Sequence, residues 1–275
     1  MSSPKLDQDQ AYEEAVLAAR ADPTLSRTIR ESFLDEDDVV ALRRFQASEH
    51  WARIERLLAS RRIEPGAKVL DLGGGRGLVS AALAVAGYRT VLCEPNHSGV
   101  CGRGAAERLR SAAALKFEVV GGDVAELAGG EFDAVVCRAV LHHIEPLVPV
   151  LRSVRAALRP GGSLICSDEP TVREVSELGR LRESHPFVQF GVDENALTEA
   201  QYRQALEEAG FVEVTLGFPV SWGDYRRLLR PNILLPVALV LYWRYRFRST
   251  LRPVPGEVRT IVATAPEPEY QQSLS

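Results

Sequence analysis

From residue 67 onward, short apolar runs alternate with stretches of helical spacing. Ala67–Leu72, Tyr88–Cys93, Phe117–Val120, Phe132–Cys137 and Ser163–Ser167 read as strands. Between them Gly77–Ala86, Asn96–Arg110 and Pro146–Leu158 read as helices, the last stopped by Arg159-Pro160-Gly161-Gly162. Strands alternating with helices of this length predict a parallel sheet covered on both faces. Its central strands should be continuously apolar, as VVC at 135–137 and LIC at 164–166 are. Residues 1–62 are polar with a loosely helical apolar spacing, and Pro65-Gly66 breaks that pattern. After Pro170 the rhythm is lost. Residues 171–197 are polar and irregular, then Thr198–Ala209 reads as a helix with Thr198 as N-cap and Gly210 beyond its last turn. Phe211–Phe218 and Val258–Ala263 read as two more strands, separated by a basic insert over 219–256. The expected organisation is an N-terminal helical cap (1–62), an α/β domain (63–264) with inserts at 171–197 and 219–256, and a fraying tail (265–275).

Composition narrows the class. The chain has 275 residues, 45% hydrophobic and 25% charged, which is ordinary globular usage and argues against wholesale disorder. A net charge of −4 disfavours a generic electrostatic grip on nucleic acid, so no nucleic-acid partner is expected. Cys93, Cys101, Cys137 and Cys166 form no C-x-x-C pair and read as reduced, packed thiols of a cytoplasmic protein. The five histidines show no metal-ligand spacing, so no metal is expected. The N-terminus lacks the apolar stretch of a signal peptide. The longest apolar run, Ile233–Trp243, holds eleven residues with Pro236 inside, against the roughly 20 needed to span a bilayer.

The glycine-rich segment carries the most chemistry. Val69-Leu70-Asp71-Leu72-Gly73-Gly74-Gly75-Arg76-Gly77 is a strand feeding a glycine turn that feeds a helix. Glycines there let a ligand lie against bare backbone, and the amides of the helix start face it. A dinucleotide fingerprint is spaced G-x-G-x-x-G, whereas Gly73, Gly75 and Gly77 are spaced G-x-G-x-G, with Asp71 two residues ahead. A carboxylate at that point repels a pyrophosphate and suits a cationic amine or sulfonium. The loop therefore favours a nucleoside with an amino-acid tail over a dinucleotide. Glu94 closes the second strand, where a ribose diol would lie, and Asp123 closes the third, where an adenine amino group would lie.

In order, VLDLGGGRG, TVLCEPN, VVGGDVAEL, FDAVVCRAVLHHI and LRPGGSLICSDEP resemble the successive motifs of class I S-adenosylmethionine-dependent methyltransferases, over about residues 66–170 and again at 198–218 and 258–264. The resemblance implies a Rossmann-like, doubly wound, seven-stranded sheet, mostly parallel with an antiparallel last strand. It implies S-adenosyl-L-methionine as cofactor. Asp71 would approach the methionine amine through the loop, with Gly73, Gly75 and Gly77 under it, Glu94 on the ribose, and Asp123 with Val124 at the adenine. Arg138 departs from the pattern: a cation beside a sulfonium is unfavourable unless it points away or grips the carboxylate.

Methyl transfer from a sulfonium is an in-line displacement, so the protein aligns the reactants and excludes water. A general base helps a hydroxyl acceptor, and one of His143, Asp168 or Glu169 would serve by position. The expected acceptor is a small molecule, a glycan or a lipid-linked compound, methylated at oxygen. A quinone- or lipid-type acceptor at a membrane surface, or a non-catalytic binding protein of the same fold, are the alternatives. From Pro219 to Arg252, seven arginines and six aromatic residues accompany one acid, Asp224. That stretch reads as a helical cap or homodimer interface, as an interfacial helix on an anionic membrane surface at the inner face, or as a pocket for an acidic acceptor.

Overall fold

The computed structural model describes residues 5–184, 187, 188, 192, 194–217 and 257–267. The readings placed on 219–256, on parts of 171–197 and on the tail beyond 267 lie outside those residues.

The chain opens with four helices, α1 (Lys5–Ala21), α2 (Ser26–Glu31), α3 (Asp38–Gln46) and α4 (Glu49–Ser60). Asp37 caps α3 by accepting from the Val39 and Val40 amides, and Ser48 caps α4 from the Trp51 amide. The α4 face of Trp51, Ile54 and Leu58 is buried, which fixes the helix against the sheet. The alternating part follows: β1 (Lys68–Leu72), α5 (Leu78–Val85), β2 (Arg89–Cys93), α6 (Arg103–Ala112), β3 (Glu118–Val120), β4 (Phe132–Arg138), α7 (Leu147–Ala157) and β5 (Leu158–Val172). Then come α8 (Leu178–Ser184), β6 (Leu197–Thr198), α9 (Glu199–Glu208), β7 (Val212–Gly217) and β8 (Glu257–Thr264).

The main sheet runs β3-β2-β1-β4-β5-β8-β7. Strands β1 to β5 pair in parallel, and β8 inserts between β5 and β7, antiparallel to both. This is the expected seven-stranded arrangement. The two-residue β6 lies off it, pairing with the far end of β5. Alternate residues of the central strands face two separate cores. Leu70, Val135, Cys137, Leu164 and Cys166 pack with α7 and α9, whereas Val69, Ala134, Val136 and Ile165 pack with α3 to α6. Burial on both faces is why the middles of these strands carry apolar residues on both sides. All four cysteines are buried and unpaired, as expected.

Two expectations shift. The helix expected to begin at Asn96 begins at Arg103. Asn96 accepts from the Ser98 amide and Ser98 from the Val100 and Cys101 amides, side-chain bonds that compete with helix formation. Strand β5 does not stop at Ser167 but runs to Val172. Asp168 sits at φ 61° at a register shift between Cys166 and Glu169, so both acids lie inside a bulged strand rather than in a turn.

Candidate active site

The carboxyl edge of the sheet carries two unlike groups of residues. Around β1, β2 and β3 the backbone dominates. Gly73, Gly75 and Gly77 take φ of 62°, 54° and 77°, the left-handed region that side chains resist. A side chain at Gly74 has no room, because its Cβ would lie 2.3 Å from Asp71 Oδ2 and 2.4 Å from Leu92. Asp71 is fully buried behind this loop. Its Oδ2 accepts from the Ser80 amide at 2.9 Å and the Ser80 hydroxyl at 2.6 Å, bracing the first turn of α5. Its Oδ1 has no hydrogen-bond partner. Burial, outweighing the Ser80 bonds, pushes the Asp71 carboxyl up to about 7.

Glu94 is buried at the end of β2 and reaches into the loop. Its Oε2 accepts from the Gly75 amide at 2.7 Å and its Oε1 from the Asn96 amide at 2.8 Å. Burial raises its carboxyl above the usual range despite those bonds. Asp123 is exposed beyond β3 and caps a short 3-10 turn, Val124–Leu127, through the Ala125 amide. Val124 is buried in the core beneath it.

Around β4 and β5 side chains dominate. Asp168 is buried among three cationic or basic partners: His50 Nδ1 at 2.6 Å, an Arg53 guanidinium nitrogen at 2.5 Å and Arg138 Nε at 2.8 Å. Burial alone would raise its carboxyl. The His50 hydrogen bond and the charges of Arg138, His50 and Arg53 outweigh that and hold it well below the usual carboxylate range. Arg138 thus pairs with Asp168, and its guanidinium lies over the rings of Phe33 and Phe45 at 5.4 and 5.6 Å. Glu169 is fully buried. Its Oε1 accepts from the Val140 and Leu141 amides at 2.9 and 3.1 Å, and its Oε2 lies 3.0 Å from His142 Nδ1. His142 and His143 share a 3-10 turn with ring centroids 3.9 Å apart, His142 buried and His143 exposed. Glu194 comes from the 171–197 insert, its Oε2 3.8 Å from His142 Nε2.

Sequence reasoning brought His143, Asp168 and Glu169 to this edge but missed their partners. His50 and Arg53 come from α4, more than a hundred residues from Asp168. Arg76, inside the glycine loop, is buried and pairs with Asp38, which also takes Arg108. Its guanidinium also donates to the Phe33 and Asp35 carbonyls. Nothing local in the sequence marks these pairs. The only signal was a charged residue among glycines.

An α/β sheet with glycines and acids at its carboxyl edge defines a nucleoside-binding protein. The pattern of the methyltransferase domain family matches residues 42–216, and the chain belongs to that family. A ubiquinone biosynthesis O-methyltransferase of Xanthomonas campestris is 34% identical over 113 residues, 40% of this chain and 46% of that protein. A demethylmenaquinone methyltransferase of Beutenbergia cavernae is 38% identical over 109 residues, 39% and 42% of the two chains. The chain thus spans less than half the length of these curated relatives. Among solved structures, Haemonchus contortus phosphoethanolamine N-methyltransferase 2 in complex with S-adenosyl-L-methionine superposes with a TM-score of 0.54 at 17% identity. That match covers 78% of this chain and 52% of the other, and shows the shared fold.

Proposed function

We propose that this methyltransferase binds S-adenosylmethionine over the glycine loop and transfers its methyl group to an oxygen of a small-molecule acceptor. The observation that carries the reading is Asp71 Oδ1, a buried carboxylate oxygen without a partner behind a loop of bare glycines. An amino-acid ammonium supplies the missing hydrogen bond, directly or through a water. Glu94 keeps acceptor capacity on both oxygens for a ribose diol, since each takes one backbone amide. Asp123 is exposed where an adenine amine would donate to it, and Val124 would pack beneath the base. The residues therefore fit the donor.

The bound donor supplies an already activated methyl group. What the protein adds is alignment. Val140 lies against Gly73, so the turn that carries the histidine pair sits directly on the donor loop. Of the three base candidates, Asp168 is tied into its cation cluster and is a weak proton acceptor. Glu169 is tied to two amides and His142. Both act as positioning residues, and acceptor chemistry falls to the His142, His143 and Glu194 side chains. Arg138 neutralises Asp168 rather than gripping the donor carboxylate.

The names of the relatives support a hydroxylated ring of quinone type as acceptor. No helix among the described residues is long and apolar enough to cross a membrane. The seven arginines of 219–252 suit an anionic surface, from which such an acceptor would be drawn. Calorimetric titration of the full chain with S-adenosylhomocysteine tests the reading. One site per chain is expected, weakened at least about tenfold by Asp71→Ala and by Glu94→Ala. No binding, or binding indifferent to both variants, would overturn it.

A further inference from the structure

We infer that His142, His143 and Glu194 form a site for a divalent transition-metal ion of the zinc type, on the acceptor side of the edge. The inference rests on the proposed methyl transfer only for its chemical purpose. Each of the three residues offers one ligand atom, and the three atoms lie within 4.8 Å of one another. Zinc holds such ligands at about 2.0–2.2 Å in a tetrahedron, which sets ligand atoms roughly 3.3 Å apart. His142 Nε2 and Glu194 Oε2, at 3.8 Å, are close to that spacing already.

The hydrogen-bond pattern points the same way. Glu169 is fully buried, and its Oε2 faces His142 Nδ1 at 3.0 Å. A tautomer with its proton on Nδ1 donates to that carboxyl group. With Nδ1–H engaged by Glu169, Nε2 is left pointing toward the Glu194 carboxyl group 3.8 Å away. A cation between them, whether a proton on Nε2 or a metal ion, would satisfy both. A metal ion serves both of them and His143 as well, which a single proton cannot. A carboxylate behind one nitrogen and an open direction before the other is how proteins orient metal-binding histidines. Glu169 is itself held by the Val140 and Leu141 amides, so the ring of His142 is fixed before any ion arrives. Glu169 and Glu194 place two carboxyl groups at the pocket, one on either side of the His142 ring.

Three protein ligands leave a fourth position open, the arrangement of a catalytic rather than a structural ion. An acceptor hydroxyl in that position would lose its proton to solvent water. Its oxygen lone pair would then form the new O–CH3 bond, while the S–CH3 bond breaks and leaves its electron pair on a neutral thioether. The ion lowers the cost of the first step and takes no part in the second.

The test uses the full chain, stripped with a chelator and titrated with Zn²⁺ and separately with Co²⁺. One equivalent of each is expected, with the visible absorption of tetrahedral cobalt. Glu194→Gln and His143→Ala should each weaken zinc binding by at least about tenfold, and Glu169→Gln by about 10–100-fold through loss of the orienting carboxylate. Affinity for S-adenosylhomocysteine, measured on the same samples, should hold within about twofold in Glu194→Gln, which also shows that the variant is folded. Failure of the wild-type chain to bind either ion stoichiometrically would overturn the site. So would ion binding unchanged in both Glu194→Gln and His143→Ala. Binding of S-adenosylhomocysteine without ion binding overturns the metal site alone, whereas absence of S-adenosylhomocysteine binding strikes the donor reading instead.

Discussion

The β1–β3 side of the sheet edge, proposed for the donor, and the β4–β5 side, proposed for the acceptor, are built on different principles. Around β1 to β3, carboxylates hold backbone amides: Asp71 takes the Ser80 amide, Glu94 those of Gly75 and Asn96, Asp123 that of Ala125. Around β4 and β5, carboxylates hold other side chains: Asp168 takes His50, Arg53 and Arg138, and Glu169 takes His142. The first kind of site is local and rigid, suited to one unvarying ligand. The second is a set of polar side chains drawn from distant parts of the chain. That division suits the proposed reading, in which the donor is constant and the acceptor is not.

The N-terminal cap supports both sides, and removing its grip should have the largest effect. Arg76 and Asp38 are both nearly fully buried. Asp38→Asn leaves the guanidinium without its counter-charge and should lower stability by about 3–5 kcal/mol in chemical denaturation. A loss below about 1 kcal/mol would show that the cap merely rests on the loop.

The two sides should also respond to pH in opposite senses. Burial sets the Asp71 carboxyl at about 7 in the fold. Between about pH 4 and 7 the folded chain keeps this proton while the unfolded chain has lost it, so stability falls as pH rises, by at most about 4 kcal/mol. Asp71→Asn should flatten that part of the stability curve. Asp168 is the reverse case. Its depressed carboxyl contributes stability that is complete above its unfolded value near 4 and is lost as pH falls toward the folded one. Acid denaturation of Asp168→Asn should therefore lack that loss.

Gly74→Ala tests the donor loop by shape alone. The added methyl group meets Asp71 and Leu92 at under 2.5 Å, so the loop must move. A displacement of that order should weaken S-adenosylhomocysteine binding about 100-fold, and calorimetry reads it directly. The smallest effect expected is that of Asp168→Asn at neutral pH, about 1–3 kcal/mol. Arg53 and Arg138 are only partly exposed and lose their shared partner. Donor affinity should survive that change, and a matching loss there would erase the division between the two sides.

The β1 to β3 half of the edge was legible as structure because its instructions are consecutive. A strand, a turn that only glycine can make, and a helix start lie within Val69–Ser80, and an acid at each strand end needs no distant partner to be placed. The expected helix at Asn96 failed for an equally local reason, since Asn96 and Ser98 spend their side chains on nearby amides. The acceptor residues were visible as residue types but not in their roles. Asp168 and Glu169 looked alike in LICSDEP, yet one meets two guanidinium groups and an imidazole and the other two amides and an imidazole.

The sequence alone determined the sheet, its two apolar faces and the glycine turn at its carboxyl edge, because hydrophobic period, glycine conformation and helix capping act over a few residues. Only the tertiary structure decided which carboxylate would be neutralised, which would orient a histidine, and that Glu194 would reach the His142–His143 pair. Those outcomes depend on through-space charge and burial between segments separated by 27 to 118 residues along the chain, and no local pattern encodes them.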